Sequence, residues 1–358
     1  MSTIVPFGPQ HPVLPEPIQL RLVLDDERVV SALPVVGYVH RGLEKLGEQK
    51  DFIQDTYLIE RICGICSFMH SMSYCMGIEE VMSLQVPDRA LYLRVVWSEL
   101  HRIHSHLLAL GLLADAFGFE NLFMQLWRVR EHIMDAMEYT TGGRVMLSSC
   151  CIGGVRKDIN EEQKKFVLDK LAIVEKDLKT LLPVLVEDYS VKQRLVGIGV
   201  VSKDIVYARG GVGPVARGSG LKMDLRTTGY AAYGKLDFEP VVETDGDCYA
   251  RTMVRCREVY QSIALVRQAL DQMPDTELKT PFKGNPPAGQ AAIRVEQPRG
   301  EVLYYLRSNG TDKLDRLRVR TPTFANIPAM LAMLENCQLS DVGVIILSVD
   351  PCVSCTER

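Results

Sequence analysis

Arg61-Ile62-Cys63-Gly64-Ile65-Cys66 near the start of the chain and Asp350-Pro351-Cys352-Val353-Ser354-Cys355 at its end decide how this 358-residue sequence reads. Each holds a C-x-x-C pair, a spacing that lets two sulfurs face one metal or each other. Two such pairs supply four soft donors, the set preferred by nickel, zinc, iron or an iron–sulfur cluster. Nearly the whole chain lies between them, so a fold that unites them must close around the site and bury it. The expectation is a buried four-thiolate centre.

Two simpler readings fare worse. A structural zinc commonly joins pairs that are near in sequence, and it stabilises small domains that lack a core; neither condition holds at this length. A thioredoxin-like redox pair needs a strand before it, and Leu58-Ile59-Glu60-Arg61-Ile62 reads poorly as one.

The bulk numbers narrow the function classes. With 41 Lys and Arg against 45 Asp and Glu, the net charge of -4 leaves no electrostatic footprint for DNA or RNA, and no basic block is present. Ten cysteines, two metal-type pairs and no signal-peptide pattern at Met1-Ser2-Thr3-Ile4-Val5-Pro6 point to a reducing cytoplasm. The most apolar run, Leu107 to Phe119, is short and carries Asp115. No segment reaches the roughly 20 residues of a membrane span, so membrane association is expected only through partners.

Residues 1–36 read as an N-terminal β-sheet region: prolines at 6, 9, 12, 15 and 17 precede a period-two run from Ile18 to Leu24, an Asp25-Asp26 turn and Val29-Val30. Residues 37–358 read as a helical core carrying both cysteine pairs. Helical spacing runs over Asp88 to Phe119, Leu122 to Thr141, Asn160 to Glu187 and Asp247 to Met273, with Gly142-Gly143 closing the second. In the fourth, Arg251, Arg255 and Glu258 are spaced for internal ion pairs. His101 and His104 share a helix flank, but no third ligand or general base completes a zinc motif, so packing and hydrogen bonding are expected of them. Glycines crowd Arg194 to Gly220 without a G-x-G-x-x-G, which points to close backbone packing rather than a dinucleotide site. Pro298-Arg299-Gly300 is the turn of a hairpin within about 290–320, Ile327 to Leu334 a short helix, and Val342 to Val349 a buried apolar strand.

The residues around the two pairs carry a sharper match. Arg-Ile-Cys-Gly-Ile-Cys with His70 four residues on, and Asp-Pro-Cys-Val-Ser-Cys-Thr-Glu-Arg at the end, resemble the two signatures of the nickel–iron hydrogenase large subunit. Gly8-Pro9-Gln10-His11-Pro12, Arg102-Ile103-His104-Ser105-His106, Asp224-Leu225-Arg226 and Gly246-Asp247-Cys248-Tyr249-Ala250-Arg251 resemble the branch shared with the quinone-site subunit of respiratory complex I. That branch holds the membrane-bound, energy-converting (Ech-type) hydrogenases. The complex I subunit lacks the thiolate pairs, so their presence favours the hydrogenase side; a quinone-site scaffold without a metal centre is the alternative.

The resemblance implies an α+β, mainly α fold, a long-helix bundle with small peripheral sheets. It implies reversible H2 cleavage at a Ni-Fe centre whose iron carries CO and cyanide. Cys63 and Cys352 would be terminal nickel ligands, and Cys66 and Cys355 would bridge the two metals. Cys352 would act as base and Glu16 as the first proton relay. His70 would donate to a cysteine sulfur, while Arg299 and Thr323 would contact the diatomic ligands. Glu44 sits where relatives bind a magnesium-type accessory cation, but Arg358 occupies the partner position and cannot ligate, so an Arg358–Glu44 ion pair is expected instead. An iron–sulfur small subunit, ferredoxin-like subunits and integral membrane subunits are the implied partners, placing the chain on the cytoplasmic side of the membrane.

Overall fold

The computed structural model describes residues 3–358. Its N-terminal part is a three-stranded antiparallel sheet of β1 (Thr3–Phe7), β2 (Gln19–Asp25) and β3 (Arg28–Val35), in that spatial order. Period-two alternation turns Leu20, Leu22 and Leu24 into the core and leaves Arg21 exposed. The loop between β1 and β2 carries Glu16 against the other end of the chain, where its carboxylate accepts from the backbone N–H of Val353.

The helical part begins with α1 (Leu43–Gly47) and α2 (Phe52–Glu60), the latter capped by Asp51, whose carboxylate accepts from Ile53 N. Then come α3 (Ser67–Met82), α4 (Asp88–Ala116) and α5 (Glu120–Thr141), which ends at left-handed Gly142. A two-residue ladder, β4 (Cys150–Cys151) with β5 (Gly154–Val155), leads to α6 (Glu161–Glu187), opened by a reciprocal cap between Asn160 and Gln163. Three short helices follow, α7 (Tyr189–Leu195), α8 (Lys203–Ala208) and α9 (Pro214–Arg217), and then the long α10 (Cys248–Gln272).

Helix α4 organises the bundle, packing along α5 on one side and α10 on the other, with α6 completing the four-helix layer. It is buried almost all round, including Arg94, Glu99, His101, Arg102, His104 and His106. Buried charges need partners, and most of those partners lie far away in sequence. The antiparallel sheet β6 (Gly289–Gln297), β7 (Gly300–Ser308) and β8 (Leu314–Arg320) covers α3. It contains the expected hairpin and adds a third strand.

The C-terminal part departs from expectation twice. α11 (Pro322–Leu334) starts five residues before the helix expected at Ile327, because Pro322 at its first position is pre-set for a helix. Val342 to Val349 is helix α12, not a strand. It is wedged against α4, α10 and α11, so every face is apolar and the run carries no periodic contrast from which a helix could be read. Asp350 stops it in a left-handed conformation, φ 59°, and the reversed chain enters the last helix, α13 (Val353–Glu357). A further correction concerns α10: Arg251 and Arg255 do not pair with Glu258. Their guanidiniums donate to Ser348 Oγ, Ser348 O and Val349 O, tying down the C-terminal end of α12.

Candidate metal centre

The two cysteine pairs meet. Cys63 Sγ lies 3.3 Å from Cys352 Sγ and Cys66 Sγ 3.7 Å from Cys355 Sγ. Sulfurs of Cys63, Cys66 and Cys355 all fall within 4.8 Å of one another, and all four cysteines are buried. The local chain explains the placement. Cys66 precedes the first turn of α3 and Cys352 that of α13, where backbone N–H groups lack helical partners. Ile65 N donates to Cys63 Sγ at 3.2 Å and Cys355 N to Cys352 Sγ at 3.3 Å.

The electrostatics show what such a set requires. Contact with the Cys352 sulfur holds the Cys63 thiol far below its usual range. Burial pushes the thiols of Cys66 and Cys355 far up. Four buried thiols cannot all ionise side by side without a cation among them, and a metal cation inverts that balance.

The residues around the sulfurs are mostly fixed by atoms distant in sequence. His70 lies one turn after Cys66, its Nε2 3.4 Å from Cys355 Sγ and its Nδ1 2.6 Å from the Tyr304 hydroxyl. With the phenol donating to Nδ1, the ring proton sits on Nε2 and points at the sulfur. Burial keeps this imidazole neutral, its pKa pushed down to about 4. Thr323 Oγ1 accepts from Cys352 N at 3.0 Å, and Thr321 Oγ1 donates to Cys355 O at 3.0 Å. Arg299 donates through Nε to Asp350 O at 2.7 Å and through one Nη to Asp350 Oδ1 at 2.8 Å. Its other Nη and Asp350 Oδ2 are buried without a protein partner. An oriented donor without an acceptor beside the thiols suits a small anionic group, and the four sulfurs fit a soft transition-metal centre.

A cavity of about 290 Å³ opens beside the sulfurs, walled by Ile65, Leu108, Leu112 and Trp127, with Glu16, Arg299 and Asp350 at its polar end. Glu16 is held there by Val353 N at 2.5 Å, Ser354 N at 3.2 Å and the Ser354 hydroxyl. Glu44 is elsewhere. Its carboxylate accepts from Arg358 Nε at 3.0 Å, Arg318 Nη1 at 2.6 Å and Val319 N at 2.8 Å. Those donors fill the acceptor positions a cation would need, so the residues present do not fit an accessory magnesium-type ion.

Sequence reasoning missed three contributors: Asp350 as the anchor of Arg299, Tyr304 as the partner of His70, and Glu357, whose carboxylate accepts from Gly37 N at 2.6 Å and Val39 N at 2.5 Å. Asp350-Pro351 was a readable signal, since a carboxylate in a turn abutting a metal motif seldom lacks a task. The other two belong to contacts spanning 234 residues or more. His101 and His104 pack as expected, against Ile65 O and Arg130.

Comparison with known proteins places the chain in a family. The family described as "Respiratory-chain NADH dehydrogenase, 49 Kd subunit" matches residues 117–284 and 281–358, and "Nickel-dependent hydrogenase" matches residues 41–114. The chain is 41% identical over 361 residues to the carbon monoxide-induced hydrogenase of Rhodospirillum rubrum, covering 100% of both. It is 40% identical over 371 residues to the membrane-bound hydrogenase subunit alpha of Pyrococcus furiosus, covering 99% of this chain and 87% of that one. It is also 36% identical over 361 residues to an NADH-quinone oxidoreductase subunit of Dehalococcoides mccartyi, covering 98% of this chain and 96% of that one. Among the described residues, no helix is long and apolar enough to cross a membrane.

Proposed function

Since the chain belongs to the family that unites membrane-bound hydrogenase large subunits with the 49 Kd subunit of respiratory-chain NADH dehydrogenase, we propose that it is the catalytic subunit of an energy-converting nickel–iron hydrogenase. The observation that carries this reading is the convergence of four cysteine sulfurs across 289 residues of chain, beside an arginine with a free donor. Cys63, Cys66, Cys352 and Cys355 would hold the metal pair through their four thiolates. Bound there, that pair supplies the Lewis acidity and redox capacity that side chains lack.

The chain's own residues do the rest. H2 cleaved heterolytically needs a base at the site, and Cys352 Sγ takes the proton. Glu16, fixed by the backbone of Val353 and Ser354 immediately after that cysteine, carries it toward solvent. His70 steadies the charge on Cys355, and with the group bound Arg299, through its free Nη, and Thr323 would offer polar contacts to the iron's diatomic ligands. Leu108, Leu112 and Trp127 keep the approach dry. Electrons pass to an iron–sulfur partner subunit, and membrane subunits couple the reaction to ion movement from the cytoplasmic side. The reaction is H2 = 2H+ + 2e-.

Metal analysis of the purified chain tests this reading. Equal nickel and iron, with cyanide and CO stretches in the infrared, are expected; zinc alone or no metal ends it and favours the quinone-site scaffold of the complex I kind. Glu16→Gln then separates the steps: H2/D2 exchange with solvent falls by about two orders of magnitude, while the infrared signature of the centre is retained.

A further inference from the structure

Behind the thiol site lies a second cluster of ionisable groups that the proposed reaction does not use. Four carboxylates and three guanidiniums form one hydrogen-bonded network, and the side chains of Glu99, Asp224, Glu258, Glu296, Arg102, Arg217 and Arg226 are all at most 2% exposed. Acids outnumber arginines by one. The remaining basic member is His106, whose Nε2 lies 2.8 Å from Glu258 Oε2 and whose Nδ1 is buried without a partner. An imidazolium there would bury an unpaired N–H, so His106 stays neutral.

The geometry says which acid is worst served. Arg217 alone contacts three carboxylates: its Nε holds Glu258 at 2.8 Å, and its Nη1 is shared by Glu296 at 2.7 Å and Asp224 at 3.5 Å. Asp224 has a second guanidinium, Arg226, at 2.7 Å, and Glu258 has the His106 N–H. Glu99 receives Arg102, Arg226, the Tyr233 hydroxyl and the Ser262 hydroxyl. Glu296 shares Arg217 and otherwise accepts only from Leu225 N, since Arg102 donates to the backbone carbonyls of residues 296 and 297 rather than to the carboxylate. Its cross-strand neighbour Glu301 is occupied by Arg294 and Arg320. The Tyr230 hydroxyl meets the backbone N–H of Glu296.

We infer that Glu296 is a proton-holding site of this chain, carrying the one proton that the arginines of this buried cluster leave unbalanced. Burial acts the same way, raising the carboxyl to about 7, whereas Asp224 and Glu258 are held low by their arginines. The site takes its proton from water and returns it. Three residues further on, across the turn where Gln297 pairs with Gly300, Arg299 faces the thiols. Loss of the Glu296 proton therefore adds a full negative charge to the hairpin that positions Arg299. The cluster stands on its own contacts whether or not the metal reading holds.

Infrared difference spectra of the purified complex, acid minus alkaline about neutrality, test the inference, with Asp55→Asn as the common background because burial raises that carboxyl to about 8 and would add a second band. A protonated-carboxyl C=O band is expected that shifts in D2O and vanishes as pH rises through about 7. Glu296→Gln removes it. Asp224→Asn relieves the competition for Arg217 and lowers the proton affinity about tenfold, so the same band vanishes about one pH unit earlier. The absence of the band in the Asp55→Asn background, its survival when Glu296→Gln is added, or an unshifted titration when Asp224→Asn is added overturns the assignment. The Asp224→Asn result decides alone where Glu296→Gln does not fold. An imidazolium signal from His106 in place of the carboxyl band also overturns it.

Discussion

Replacing Arg358 by alanine tests whether an arginine has taken over the work of an accessory cation. In the native structure its Nε donates to Glu44 Oε1 at 3.0 Å and its Nη1 to Thr356 O at 2.8 Å, while the guanidinium carbon lies 5.3 Å from the centre of the Phe324 ring. The pair is largely shielded, with side chains 17% and 14% exposed. A hydrogen bond to a charged group contributes about 1.5–3 kcal/mol, and a half-exposed cation–π contact about 0.5–1 kcal/mol. The loss is moderated because Glu44 keeps Arg318 and Val319 N and is not left bare. The expected cost is therefore about 2 kcal/mol, read as a lower urea midpoint with an unchanged slope. Glu44→Gln and the double variant complete a cycle whose coupling should be about 1–2 kcal/mol. Magnesium and EDTA should leave the wild-type midpoint unmoved. In Arg358→His a ligand replaces the guanidinium, and stability should become magnesium-dependent by mass action. A wild-type midpoint that rises with magnesium, or an Arg358→Ala midpoint equal to wild type, would refute the substitution argument.

Other outcomes follow from single positions. Asp55 is fully buried between α2 and α3 with one carboxylate oxygen unpartnered, and burial raises it to about 8. The folded state then binds a proton that the unfolded chain releases above pH about 4, so stability falls as pH rises until the folded pKa is passed. Asp55→Asn should remove about 1.4 kcal/mol per pH unit from that slope between pH 5 and 7; an unchanged urea-midpoint profile would count against the burial argument. Gly213, at φ +64°, lies so close to the Arg299 turn that an added Cβ would sit 2.3 Å from Arg299 O. Gly213→Ala should cost about 3 kcal/mol from left-handed strain and overpacking together, seen as a lower melting temperature, and a neutral result would show that the turn can yield. Cys63→Ser and Cys352→Ser each remove one donor of the set and should lower bound metal to near zero while circular dichroism stays native; full retention in either would separate that residue from the site.

The fold was legible where pattern and function coincide. The long helices announced themselves by spacing, and Asn160 and Gly142 marked an entry and an exit where side chain and backbone chemistry demand them. Cys63, Cys66, Cys352 and Cys355 were legible because chemistry, not packing, dictates their spacing, and their meeting followed from closing the chain. Helix α12 was not legible, since Val342 to Val349 is enclosed on all sides and alternates nothing. Arg251 and Arg255 looked self-sufficient on α10 because helical spacing is visible in sequence, whereas the carbonyls of Ser348 and Val349 that they hold are not. The cluster around Glu296 was invisible for the same reason. Arg217 and Glu258 are 41 residues apart and Glu99 and Arg226 are 127 apart, and only the bundle brings them into one dry space.

The tail that completes the sulfur set has a mechanical side. Glu357 locks onto Gly37 and Val39 and Arg358 onto Glu44, so the last turn of chain is stitched to its N-terminal part. Metal–thiolate bonds joining Cys63 and Cys352, which lie 289 residues apart, would close that loop and, where they outlast unfolding, would restrict the unfolded chain much as a disulfide would, by about 5–6 kcal/mol on the loop-entropy scale. Filling the centre would thus double as riveting: the loaded subunit should survive proteolysis and denaturant that dismantle the empty one.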